Sequence, residues 1–113
     1  MNEFMMIFRH PVPGETTLSP EQLQAGIELW QNWIGGIAAQ GKFVSTNQLG
    51  FQGKTLRPGR VVTDGPYAEV KEMVGGYVIV KAASLQEAAD LAEGCPILAM
   101  GGHVEVRDIM KID

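Results

Sequence analysis

Residues 4–8 are apolar at every position, reading Phe4-Met5-Met6-Ile7-Phe8. Side chains on a strand alternate between faces, which puts Phe4, Met6 and Phe8 on one side and Met5 and Ile7 on the other. A strand that is apolar on both sides needs cover on both, so this one is predicted to be central in a sheet. Residues 77–81 read the same way, with Tyr77 and Ile79 facing one side and Val78 and Val80 the other. Residues 103–109 alternate cleanly, with Val104 and Val106 inward and His103, Glu105 and Arg107 outward. Residues 43–49 form a more polar strand. Residues 54–57 and 60–63 predict a hairpin around Pro58-Gly59, a pair suited to the central positions of a type II turn.

Two segments have helical spacing instead. Leu23, Ile27, Trp30, Ile34 and Ile37 recur at intervals of three and four, forming one apolar stripe. Ser19-Pro20-Glu21-Gln22 is a start signal: Ser19 caps, Pro20 suits the first helical position, and Gln22 completes a capping box. Gly41 is the expected stop. Gly35-Gly36 lies inside this helix, where each glycine costs about 1 kcal/mol relative to alanine. The pair is expected to mark close packing of the helix on the sheet or on another helix. Ser84-Leu85-Gln86-Glu87 repeats the capping signal for a second helix from 85 to about 93, with Gly94 as its stop. Residues 10–18 and the charged residues 67–76 are expected as connections, and 95–102 as a short apolar, glycine-bearing segment.

The predicted order is strand, helix, strand, hairpin, strand, helix, strand, with no linker or repeat. It gives one α+β domain: a ferredoxin-like βαββαβ unit with an antiparallel sheet and two helices on one face. Two helices cover one face only, so Met5, Ile7, Tyr77 and Ile79 are left on the other. A bare apolar sheet is unusual on a soluble monomer, and a two-fold homodimer is the expected cover; the alternative is the connection 67–76 folding back across the sheet, although its several charges cover apolar area poorly.

Composition narrows the function classes. Nine Lys and Arg against thirteen Asp and Glu give a net charge of −4, with no basic run. Nucleic-acid binding proteins concentrate positive charge on one face, so DNA or RNA is not an expected partner. One cysteine allows no intrachain disulfide, which fits a reducing compartment. No leader and no uncharged apolar stretch of the ~18 residues that span a bilayer is read, so no membrane association and a cytoplasmic location are expected.

Val62-Thr63-Asp64-Gly65-Pro66-Tyr67-Ala68-Glu69, continuing through Lys71-Glu72 to Gly75-Gly76-Tyr77, resembles the YCII-related, or DGPF-domain, family. The family's Asp-Gly-Pro-Phe stands here as Asp64-Gly65-Pro66-Tyr67, which keeps the aromatic ring. Gly53-Lys54-Thr55, Ser84-Leu85-x-Glu87-Ala88, Cys95-Pro96 and Val104-Glu105-Val106-Arg107 extend the likeness over nearly the whole chain. The resemblance implies a dimeric α+β barrel. Some relatives are linked to sigma factors or transcription initiation, so a non-catalytic accessory module with a sigma-factor partner is one functional reading. Relatives in the wider group have been proposed as enzymes built on a His–Asp pair, but this chain has Gln22 at the histidine position and Cys95 at the aspartate position. That pair does not carry over.

The leading reading is a domain that binds a small polar or aromatic compound, with lyase or isomerase chemistry as its catalytic form. Asp64, at a strand end before a Gly-Pro turn, is the first ligand-binding candidate and also a catalytic one. Its bland alternative is a carboxylate that only fixes the turn. Tyr67 suits stacking or hydrogen bonding to a planar ligand, and Glu69, beside Lys71 and Glu72, suits a polar one. Arg9 is placed to pair with an anion. His10 and His103, the only histidines, are the proton-transfer candidates, although His103 also fits ordinary cross-strand pairing. No metal-ligand spacing, P-loop or dinucleotide fingerprint is present, so neither metal nor cofactor is expected. Cys95, at the second helix's C-terminal pole, is not expected to be a nucleophile.

Overall fold

The computed structural model describes residues 1–11, 19–50, 52–64 and 72–111. Its first element, β1 (Asn2–Pro11), is longer than the apolar run alone predicts. Helix α1 (Pro20–Ala39) and strand β2 (Phe43–Gln48) follow, then the hairpin strands β3 (Lys54–Arg57) and β4 (Val61–Asp64). Strand β5 (Glu72–Ala82), helix α2 (Leu85–Ala92), a 3-10 turn (Pro96–Met100) and strand β6 (His103–Asp108) complete the order. One sheet has the order β2-β5-β1-β6, all antiparallel, and among the described residues β3-β4 pair only with each other. Apolar β1 and β5 are thus central, as their two-sided pattern requires. The α+β sheet with two helices is compatible with a ferredoxin-like fold.

Both helices pack on the face that carries Phe4, Met6, Phe8, Val78 and Val80. Trp30, Trp33 and Ile37 come from α1, and Ala88, Leu91 and Ala92 from α2. Phe8, Trp30 and Trp33 meet edge to face, with ring centroids 5.0 to 5.9 Å apart. Such pairs add about 0.5–1.5 kcal/mol beyond burial. The Trp33 indole N–H also donates to the Leu91 carbonyl at 3.0 Å, tying α1 to the last turn of α2. At the other end of the layer, the Lys42 ammonium reaches the Glu87 carboxylate at 2.9 Å. That contact holds Glu87 below the usual carboxylate range. No helix among the described residues is long and apolar enough to cross a membrane.

The helix starts follow the sequence signals. Ser19 Oγ accepts from Gln22 N–H while Gln22 Oε1 accepts from Ser19 N–H, and Ser84 Oγ accepts from Glu87 N–H. Several expectations need correction. Gly35 and Gly36 do not mark close packing, because both are exposed and nothing lies within 4 Å of where a Cβ would stand. Leu23 and Ile27 continue the core stripe but are about half exposed, at 50% and 49%. The α1 residues that pack on the core begin at Trp30, so the first turns of the helix lie outside that contact. Arg60 belongs to the turn, not the strand: Arg57 pairs with Val61, and Gly59 and Arg60 both have positive φ.

The predicted ends of the central strands also shift. β1 runs on through Arg9 to His10, which is not in a loop, and residues 72–76 lie on β5, not in the connection. The reason is a bulge. Phe8 pairs with Gly76 and Arg9 with Val74, leaving Gly75 as the extra residue, after which pairing resumes to Pro11 and Glu72. A bulge lets a ladder continue past a local mismatch, and glycine accommodates it.

Candidate functional site

The helix-free face of the sheet is built by alternation. Met5, Ile7 and Arg9 on β1 stand opposite Ile79, Tyr77 and Val74 on β5, and opposite Arg107, Glu105 and His103 on β6. Ser45 and Asn47 of β2 lie across from Ile79 and Tyr77. An apolar floor of Met5, Ile7, Tyr77 and Ile79 is therefore flanked by polar edges. No described helix lies over it.

The charged groups line the β6 side. Glu105 Oε1 stands 3.5 Å from Arg9 Nη2, and its Oε2 lies 3.9 Å from Arg107 Nε. The three side chains are 38–69% exposed, so each contact contributes at most about 1 kcal/mol in solvent. Their value is placement, since two guanidinium groups are held near one carboxylate. His103 is the direct cross-strand neighbour of Arg9. On the far side of the floor, the Asn47 side-chain amide donates to the Tyr77 hydroxyl at 2.7 Å. That bond orients the phenol and leaves its O–H proton able to donate elsewhere.

Glycines fix the sheet around Arg9 and His10. A Cβ on Gly102 would lie 2.7 Å from the Arg9 carbonyl oxygen and 2.5 Å from Ile97 Cγ1, so the chain entering β6 runs tightly against Arg9. A Cβ on Gly75 would lie 2.5 Å from His10 Cδ2 and 2.6 Å from Nε2. The His10 ring thus rests on the bulge. Alternation puts it on the helix-bearing side with its partner Met73, which is 8% exposed.

The six predicted site residues are consequently divided. Arg9 and His103 share the open face, while His10, one residue from Arg9, belongs to the opposite one. Asp64 ends β4 in the separate hairpin, with its backbone paired to Lys54; its carboxylate lies outside the described atoms. Tyr67 and Glu69 lie outside the described residues. Glu105 and the Asn47–Tyr77 pair were not singled out from sequence, although their outward positions on alternating strands were legible. Among the described residues, no three His, Cys, Asp or Glu side chains converge to hold a metal ion.

The pattern that defines the YCII-related domain matches residues 4–113. The chain belongs to the YCII-related domain family. No curated protein matches it. In this YCII-related domain, the two positions that depart from the proposed His–Asp pair have structural work. Gln22 closes the capping box of α1. Cys95 is 3% exposed in the core, and burial pushes its thiol up to about 11. Desolvation outweighs the backbone N–H that lowers it. A neutral buried thiol is a poor nucleophile.

Proposed function

We propose that this YCII-related domain works as a homodimer of the dimeric α+β barrel type. Two helix-free sheet faces pair, and the dimer binds a small anion with an apolar or aromatic body beside Arg9, His103 and Glu105. The observation that carries this reading is the composition of that face: an apolar floor of Met5, Ile7, Tyr77 and Ile79 bordered on its β6 side by His103, Glu105 and Arg107, with Arg9 beside His103. Apolar walls with a few convergent polar groups are what a small-molecule site needs. Arg9 would clamp a carboxylate or phosphate and Tyr77 would donate to it. If the ligand is turned over, His103 is the proton carrier, giving lyase or isomerase chemistry without a cofactor. Asp64, Tyr67 and Glu69 remain proposed contributors from the neighbouring connection. The lone buried Cys95 suits a reducing, cytoplasmic setting.

A thermal-shift screen of aliphatic and aromatic carboxylates and phosphates tests the site, since a ligand stabilises by RT ln(1 + [L]/Kd). A responding compound should lose its shift in Arg9→Gln and His103→Ala, with the unliganded Tm unchanged. Asp64→Asn and Glu69→Gln, measured alongside, report on the connection. If a compound stabilises both Arg9→Gln and His103→Ala as well as it does the parent, the site is elsewhere.

A further inference from the structure

The β3-β4 hairpin is the least supported part of the described chain. It pairs with no other described strand, and a lone two-stranded hairpin is marginally stable in water. Leu56 and Val62, directly paired across it, are 74% and 52% exposed, and Val61 is 48% exposed. The radius of gyration of 15.8 Å exceeds the about 13 Å expected of a compact chain of this length. The described molecule is also thin, at 45 × 42 × 18 Å. A projecting arm with apolar residues on it fits both measures.

Area argues for what covers the arm. The strands β2, β5, β1 and β6 run to 6, 11, 10 and 6 residues; at ~4.8 Å by ~3.4 Å per residue the helix-free face comes to roughly 540 Å². A stable interface buries about 800 Å² per partner. Face-to-face pairing alone falls short of that, and the arm is where further apolar area projects.

Charge gives the direction. Lys54, Arg57 and Arg60 are three of the nine cations, and no acidic residue lies between 52 and 62. Asp64, at the end of β4, is the arm's acid; the remaining six cations face the other twelve acidic groups, so a positive arm extends from a negative body. Helix α1 contains no Lys, Arg or His; its charges are Glu21 and Glu28, and its first turns expose Leu23 and Ile27.

We infer that the β3-β4 arm of one protomer docks on the first turns of α1 of a second copy. Leu56 and Val62 would lie against Leu23 and Ile27, with the arm's cations near Glu21 and Glu28. The inference rests on the dimer proposed above and specifies how that dimer is completed.

Cross-linking with sedimentation tests it. Leu56→Cys and Leu23→Cys are made in separately tagged chains, mixed, and treated with a short bismaleimide; buried Cys95 gives no background. The expected result is a product joining the two tags, absent when either cysteine is omitted. Arg57→Glu with Arg60→Glu should raise the dimer Kd at least tenfold, and Glu21→Arg with Glu28→Arg on the other chain should restore it. No mixed product and an unchanged Kd, in a chain that is dimeric and that Ile79→Lys dissociates, would overturn the arm contact and leave face pairing intact. Dissociation by the arm variants but not by Ile79→Lys would keep the arm contact and overturn face pairing. A monomeric parent chain would overturn both.

Discussion

Gly102→Ala adds one methyl group at the point where β6 enters the sheet, and the surroundings set its effect. At an open strand position the change reduces unfolded-state freedom and stabilises by about 0.4–1 kcal/mol. Here the new Cβ would stand 2.5 Å and 2.9 Å from Ile97 Cγ1 and Cδ1, and 2.7 Å from the Arg9 carbonyl oxygen. Ile97, 7% exposed in the core, has little room to turn. The Arg9 oxygen cannot turn at all, because β1 is paired on both sides. Overpacking of this kind typically costs about 1–3 kcal/mol, which exceeds the entropy gain. The net expectation is a loss of about 1–2 kcal/mol, or roughly 4–10 °C in Tm for a chain of this size. Both tryptophans sit in the core against Phe8, so urea unfolding followed by their fluorescence reads the change at fixed protein concentration. The midpoint should fall with the slope m unchanged. A midpoint equal to or above the parent's would refute the reasoning, because the close approach of β6 to Arg9 would then not constrain the fold.

The opposite sign is expected for Gly36→Ala, where the new Cβ meets nothing within 4 Å: stability should rise by about 0.5–1 kcal/mol in the same urea assay. The lowered pKa of Glu87 beside Lys42 gives stability that is present above 4.5, its ordinary value, and lost as pH falls through the folded-state pKa. Lys42→Met should therefore be less stable than the parent at pH 7, with the gap in urea midpoint closing on acidification below that value. The Cys95 thiol, raised by burial to about 11, should react with a disulfide reagent at pH 8 far more slowly than the unfolded chain does, by at least a hundredfold in a stopped absorbance assay.

Much of the fold was legible because its signals are local. Ser19 with Gln22, and Ser84, mark helix starts through bonds made within three residues, and the alternation around Val104 and Val106 needs only the period of a strand. The two-sided apolar runs at 4–8 and 77–80 correctly implied central strands, because a sheet's interior position follows from what must be covered. The strand ends were not legible, since they depend on register. Nothing in Gly75-Gly76 alone says that one glycine is extra opposite Phe8, yet that bulge in β5 lets the ladder continue through Arg9 and His10, whose adjacent positions on β1 put their side chains on opposite faces. Across that ladder Arg9 and His103 are direct neighbours, whereas His10 stands on the helix-bearing side. Gly35-Gly36 looked like a contact because an interior helix glycine usually has one. Its exposed position depends on how α1 is rotated over the sheet, which the stripe of Trp30, Ile34 and Ile37 fixes only in the finished packing.

Sedimentation equilibrium of the parent chain beside Ile79→Lys, at micromolar concentration, tests the central claim most directly. The account predicts a parent mass of about twice 12.3 kDa and a folded monomer for the variant, whose added charge lies on the helix-free face. A parent that sediments as a folded 12.3 kDa particle would contradict it, because Met5, Ile7, Tyr77 and Ile79 would then have no second copy to cover them.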